Sequence, residues 1–248
     1  MAKDSEKIAL ITGANRGLGF ETARELGRKG VTIIIGARDP KAGEEAAATL
    51  AKEGIKAESI VLEISNADQR QQAVDFIQQK YGHLDILVNN AGVFLDDKGD
   101  GSNQTSRTSE DILRRTFETN FFATIFLTQA LLPLLKKSEA GRIVNLSSIL
   151  GSLTLHSDPG SPIAESKAFA YNASKTALNA FTVHLAHELK DTRIKVNSAH
   201  PGWVRTSMGG PEAPLSPEEG GKTSAILALL DENGATGGYF HMEDALPW

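Results

Sequence analysis

Short apolar runs of strand length alternate along this chain with longer stretches in which apolar residues recur at helical spacing. The pattern predicts strands at 8–12, 31–36, 56–62, 84–89, 142–147, 194–199 and 238–241. Between them it predicts helices at about 16–29, 41–53, 68–81, 110–136, 168–191 and 217–230. Such alternation is expected of repeated βαβ units that build an α/β fold around a mostly parallel sheet. Pro133 falls inside the 110–136 run, so that helix is expected to kink or end there.

Three segments interrupt the rhythm. Residues 93–108 are rich in Asp, Gly, Ser and Thr and read as a mobile loop. Residues 150–166 contain Pro159, Gly160 and Pro162, and residues 201–217 hold four prolines and three glycines. The last two flank the 168–191 helix, where they are either the walls and lids of a pocket or plain connections.

Composition narrows the classes. At 248 residues the chain reads as a single domain, 1–248, with a sizeable core. Hydrophobic residues make up 40% and charged residues 23%, and a net charge of -5 gives no electrostatic reason to expect nucleic acid. The absence of cysteine excludes disulfides, thiolate metal sites and thiol catalysis. The first seven residues lead straight into a strand-like run, and no apolar stretch reaches membrane-spanning length, so a soluble cytoplasmic protein without membrane contact is expected. His184, His187 and Glu188 share helical spacing but lack both the HExxH order and a further ligand set, so no metal is expected.

Chemistry concentrates in Tyr171-Asn172-Ala173-Ser174-Lys175, where helical spacing puts a phenol and an ammonium on one face. A fixed positive neighbour favours the phenolate, so the pair reads as an acid and its tuner for proton exchange with a carbonyl or an alcohol. The ordinary alternative is a surface helix pair. After the first strand, Gly13-Ala14-Asn15-Arg16-Gly17-Leu18-Gly19 opens directly into a helix, as a turn that lets a pyrophosphate approach backbone N–H groups would do. The glycine spacing is not GxGxxG, and such turns also serve packing alone. Where the second strand ends, Arg38 with Arg16 would clamp a 2′-phosphate and select NADP(H), whereas Asp39 would accept from a 2′-hydroxyl and select NAD(H). The arginines are preferred, because Asp39 before Pro40 is placed to cap a helix.

Taken together, these pieces resemble the short-chain dehydrogenase/reductase family over the whole chain, and its carbonyl-reductase-like branch in particular. The family's TGxxxGxG is met by Thr12 to Gly19, and its NNAG by Asn89-Asn90-Ala91-Gly92. Its PG motif falls on Pro201-Gly202-Trp203-Val204-Arg205-Thr206. The resemblance implies a Rossmann-type, doubly wound parallel sheet of about seven strands with helices on both faces. It implies catalytic Asn120, Ser148, Tyr171 and Lys175, with the second serine of Ser147-Ser148 chosen by its place before Ile149-Leu150-Gly151. In that scheme Tyr171 donates the proton and Lys175 lowers its pKa and holds the nicotinamide ribose. Ser148 polarises the carbonyl, and Asn120 positions a relay water. Cofactor contacts are implied at Gly13, Asn15, Arg16, Gly17, Leu18, Gly19, Arg38, Asn90, Ala91 and Gly92, and at Tyr171, Lys175, Pro201, Gly202, Val204 and Thr206. After the third strand Glu63-Ile64 replaces the family's usual aspartate, and Ile64 rather than Glu63 is taken as the adenine contact. The long gap between Ser148 and Tyr171 is shared with members that are monomeric, whereas elsewhere the tyrosine helix forms a dimer interface; monomer and homodimer both stay open. The expected activity is NADPH-dependent, reversible reduction of a small aldehyde or ketone. The alternative is a non-catalytic NADP(H)-binding sensor or scaffold.

Overall fold

A computed structural model describes residues 6–96 and 105–248. Among them, β1 (Ile8–Thr12), β2 (Thr32–Ala37), β3 (Ala57–Val61), β4 (Ile86–Asn89), β5 (Arg142–Leu146), β6 (Lys195–Ala199), β7 (Tyr239–His241) and β8 (Asp244–Ala245) form one sheet. Its order is β3-β2-β1-β4-β5-β6-β7-β8, parallel throughout except for the β7–β8 pair. The helices are α1 (Gly17–Arg28), α2 (Pro40–Lys52), α3 (Ala67–Lys80), α4 (Glu110–Phe117), α5 (Ala123–Leu135), α6 (Leu153–Ser157), α7 (Phe169–Glu188) and α8 (Pro217–Ala228).

The central strands are apolar without alternation because helices cover both faces of the sheet. Ile11, Ile35 and Val88 pack with Leu26 of α1, Leu50 of α2 and Leu227 of α8. Leu10, Ile34 and Leu87 point the other way, toward Ile77 of α3, Leu127 of α5 and Leu185 of α7. Burying one such Leu or Ile contributes about 1.5–3 kcal/mol, so these two layers hold the sheet against its helices. On the α5/α7 face a polar row crosses the sheet in register: Asn89, Asn145 and Ser198. Asn89 Nδ2 donates to Asn145 Oδ1 (2.8 Å) and to Thr128 Oγ1 (3.0 Å), and Asn145 Nδ2 donates to Thr182 Oγ1 (2.9 Å). Buried amides need such partners.

The helix ends two residues past Pro133, close to where it is expected to, and the clear break within the run lies elsewhere. Pro133 sits in the last turn of α5, and its ring takes one N–H out of the helical ladder there. The predicted 110–136 helix is broken instead by a π turn, Glu118–Phe122, where the Ala123 N–H reaches back to the Glu118 carbonyl. The extra residue in such a turn re-aims side chains, and π turns gather at functional sites. The sheet also has an eighth strand beyond the seven expected: the β7–β8 turn passes through Met242 at φ 54, with none of the glycine or asparagine that marks hairpins. The connector at 150–166 contains a 3-10 turn, Ile149–Gly151, and α6. Among the described residues, no helix is long and apolar enough to cross a membrane.

Candidate active site

Strand order reverses between β1 and β4, and in such sheets the crevice at the carboxyl ends of the two strands is where ligands bind. Here the two turns are laced together. Thr12 Oγ1 accepts from the N–H groups of Asn90 (3.0 Å) and Ala91 (2.9 Å), and Asn90 Nδ2 donates to the Thr12 (2.7 Å) and Gly13 (3.2 Å) carbonyls. Gly19 is required at this junction, because a Cβ there would lie 2.5 Å from Asn90 Nδ2 and 2.8 Å from the Gly13 oxygen. A cavity of about 950 Å³ runs from this junction to the loop at 201–209.

At the glycine-turn end, α1 begins without a side-chain cap: Arg16 occupies the cap position and no acidic residue stands in the first turn. The helices α2, α3, α4 and α8 start otherwise, on Asp39, Asn66, Ser109 and Ser216, each accepting from first-turn N–H groups. An uncapped start beside a cavity is suited to an anion. Gly13, Asn15, Gly17, Leu18 and Gly19 line the cavity here, together with Arg16 and Arg38. Both arginines are exposed, and among the described residues neither forms an ion pair. Asp39 caps α2, accepting from Lys41 N at 3.0 Å, and does not line the cavity. Leu62, Glu63 and Ile64 all line it, so Glu63 reaches the wall as well as its neighbour.

The opposite end is assembled from distant elements. Tyr171 and Lys175 sit one turn apart on α7, 7% and 4% exposed. Lys175 Nζ donates to the Leu146 carbonyl at the end of β5 (2.7 Å) and lies 5.6 Å from the Tyr171 ring centre. Ser148, at the start of the 3-10 turn, lies near enough to the Tyr171 phenol to pull its pKa down, and its Oγ accepts from Leu150 N at 3.2 Å. Ser147 instead is buried in the sheet, its N–H bonded to the Ala199 carbonyl. Asn120, presented by the π turn, stands behind the cavity wall, which Thr119 lines. Its carboxamide grips Val93 both ways, accepting from Val93 N (2.8 Å) and donating to Val93 O (2.9 Å), and donates to Ser174 Oγ (3.0 Å). Gly92 leaves room for this group: a Cβ there would sit 3.2 Å from Asn120 Oδ1 and 3.6 Å from Lys175 Nζ.

Burial governs the electrostatics. It pushes the Tyr171 phenol up to about 12, against the pull of Ser148, and draws the Lys175 ammonium down to about 8. The sequence leads one to expect a lysine that lowers the tyrosine; in this structure the cost of burying a phenolate raises it, and the opposing pull comes from Ser148. His200 is drawn down to about 3 by burial and by the nearby His241. It is therefore neutral, and its Nδ1 accepts from Ile149 N (3.2 Å), tying the end of β6 to the turn that carries Ser148.

Pro201, Gly202, Val204 and Thr206 line the cavity beside Ala91 and Gly92. Apolar side chains complete the wall: Phe94 lies 4.9 Å from the Tyr171 ring, and Trp203, 57% exposed, is pinned by its Nε1 donating to the Gly209 carbonyl (2.8 Å). His184, His187 and Glu188 lie on the exposed side of α7. The loop expected at 93–108 is firmly tied at its start, through Val93 and Asp96; residues 97–104 lie outside the described residues. Nothing in the sequence sets Asp96 apart from the other polar residues of that loop.

A family profile described as "short chain dehydrogenase" matches residues 7–214. Carbonyl reductase (NADPH) 1 of Mus musculus is 32% identical over an alignment 287 positions long with its gaps, covering 98% of this chain and 99% of that protein. (+)-Neomenthol dehydrogenase of Arabidopsis thaliana is 31% identical over 97% of each chain. NADPH-bound carbonyl reductase from chicken fatty liver has a TM-score of 0.84 at 26% identity, covering 98% of this chain and 99% of that one. Motif order, strand order and full-length similarity agree, and the chain belongs to the short-chain dehydrogenase family of oxidoreductases.

Proposed function

We propose that this enzyme reduces an aldehyde or ketone with NADPH, reversibly, using Tyr171 as the proton donor. The observation that carries the reading is the convergence of the Ser148 hydroxyl, the buried Tyr171 phenol and the Lys175 ammonium at one end of a cavity whose other end offers uncapped N–H groups and two exposed guanidiniums. The dinucleotide fits these residues. Gly13, Asn15, Gly17, Leu18 and Gly19 would hold its pyrophosphate, Arg16 and Arg38 its 2′-phosphate, and Ile64, Asn90 and Ala91 its adenosine side. Gly92, Lys175, Pro201, Gly202, Val204 and Thr206 would hold its nicotinamide half. The NADPH named in the relatives supports the same choice.

The cofactor supplies a hydride, and the chain supplies everything else. Two hydroxyls, of Tyr171 and Ser148, would donate to a carbonyl oxygen, which stabilises the alkoxide as it forms. With its phenol held well above neutrality, Tyr171 is fully protonated and ready to give its proton at pH 7. The Lys175 ammonium, held by Leu146, favours the resulting phenolate. Asn120 has both amide hydrogens engaged, so its second Oδ1 lone pair is what serves a relay water beside Lys175.

Tyr171→Phe tests the assignment. It should bind NADPH as the native enzyme does in a fluorescence titration and lose about 10²–10⁴-fold in kcat across a carbonyl panel. Native turnover by the phenylalanine variant would overturn it.

A further inference from the structure

Helix α7 starts at Phe169 on a cap residue, Ala168, that has no side-chain oxygen. Its first-turn donors are taken from far away: Asp96 Oδ1 accepts from Ala170 N and Oδ2 from Tyr171 N, each at 2.9 Å, across 74 and 75 residues of sequence. Asp96 is 5% exposed. Burying a carboxylate is costly unless its oxygens are bonded, and a serine or aspartate in place of Ala168 would satisfy the same donors locally. A distant buried charge does something that a local cap cannot: it ties a second piece of chain to the backbone of Tyr171 itself. That piece is short and held at its other end too. Val93 is gripped by Asn120, and Phe94, between Val93 and Asp96, lies against the Tyr171 ring.

We propose that Asp96 is a positioning residue for the proton transfer: it locks the start of α7 to the Val93–Asp96 strap, so that the Tyr171 phenol, the Phe94 wall and Asn120 keep one mutual register. This rests on Tyr171 as the acid. The strap acts on geometry, so its loss should lower kcat far more than it weakens NADPH binding, whose proposed phosphate-holding residues line the other end of the cavity.

The test compares Asp96→Ala, Asp96→Asn and the double variant Asp96→Ala/Ala168→Ser, with Tyr171→Phe as the control for the underlying reading. Expected is a fall of about 10–100-fold in kcat for Asp96→Ala, with the NADPH Kd within about 2-fold of native. In the double variant the hydroxyl introduced by Ala168→Ser caps the first turn locally and should recover the thermal midpoint while kcat stays low. Should Asp96→Ala fail to fold, the isosteric Asp96→Asn, which keeps one acceptor, should still show a reduced kcat at native NADPH affinity. Recovery of kcat by Ala168→Ser would reduce Asp96 to a helix cap and overturn the proposal, as would native kcat in either single variant. If Tyr171→Phe were itself fully active, the acid assignment would fall first, and the two failures are thereby told apart.

Discussion

At the glycine-turn end of the crevice, the groups suited to an anion come from one short run, Gly13–Gly19, and from Arg38, and the arginines among them are exposed. At the other end Tyr171, Lys175 and Asn120 are buried, and the elements that meet there include β5, the π turn, the 3-10 turn, α7 and the strap after β4. The contrast is chemical as well as spatial. Exposed guanidiniums keep their charge and recognise an anion through water-screened attraction and directed hydrogen bonds. Buried groups have their proton affinities set by desolvation, which raises the phenol and lowers the ammonium together. A binding end can therefore be built from local backbone geometry, whereas a proton-transfer end needs the interior of the fold.

The sharpest way to break that contrast is at Lys175. Its ammonium is present below about pH 8 and lost above, so reductive kcat should hold on the acid side and decline through that pH. Lys175→Met should lower kcat by about 10²–10⁴-fold and flatten this limb, while a variant that kept both the rate and the limb would show that the ammonium is not used. At the exposed end the expected effect is smaller and confined to binding. Arg16→Ala/Arg38→Ala should weaken NADPH by about 10–100-fold, the scale of one or two charge-assisted hydrogen bonds, and leave NADH nearly unchanged. Equal losses for both dinucleotides in a titration would remove the 2′-phosphate from the picture.

The smallest effect concerns the joint between the two ends. His200 is neutral in the fold but takes a proton near pH 6.5 once unfolded, so the unfolded chain binds more protons as pH falls below that value. Stability should drop on acidification from about pH 6.5, by at most about 1.4 kcal/mol per pH unit from this residue. His200→Asn, which keeps an acceptor for Ile149 N, should shrink the acid slope of the thermal midpoint; an unchanged slope would locate the acid sensitivity in other groups.

Local chemistry was legible along the chain wherever neighbours in sequence are also neighbours in space. Seven strands and most helix starts fall where apolar runs and capping residues put them, because Asp39-Pro40 and Ser216-Pro217 define a helix start within two residues. The glycine turn opening into α1 and the pairing of Tyr171 with Lys175 are likewise local, one set by a strand-to-helix turn and the other by helical period. What tertiary structure alone decided is how those pieces are oriented and how deeply they lie. The π turn that aims Asn120 has no sequence signature, since a single extra residue in a helix changes no periodicity that a short run can reveal. Asp96 reads as loop until folding carries it across 75 residues of chain to the N–H of Tyr171. The direction of the tyrosine shift followed the same rule. The sequence places an ammonium one turn away, but only the folded interior determines how much water each group loses, and at Tyr171 that loss outweighs the pull of Ser148.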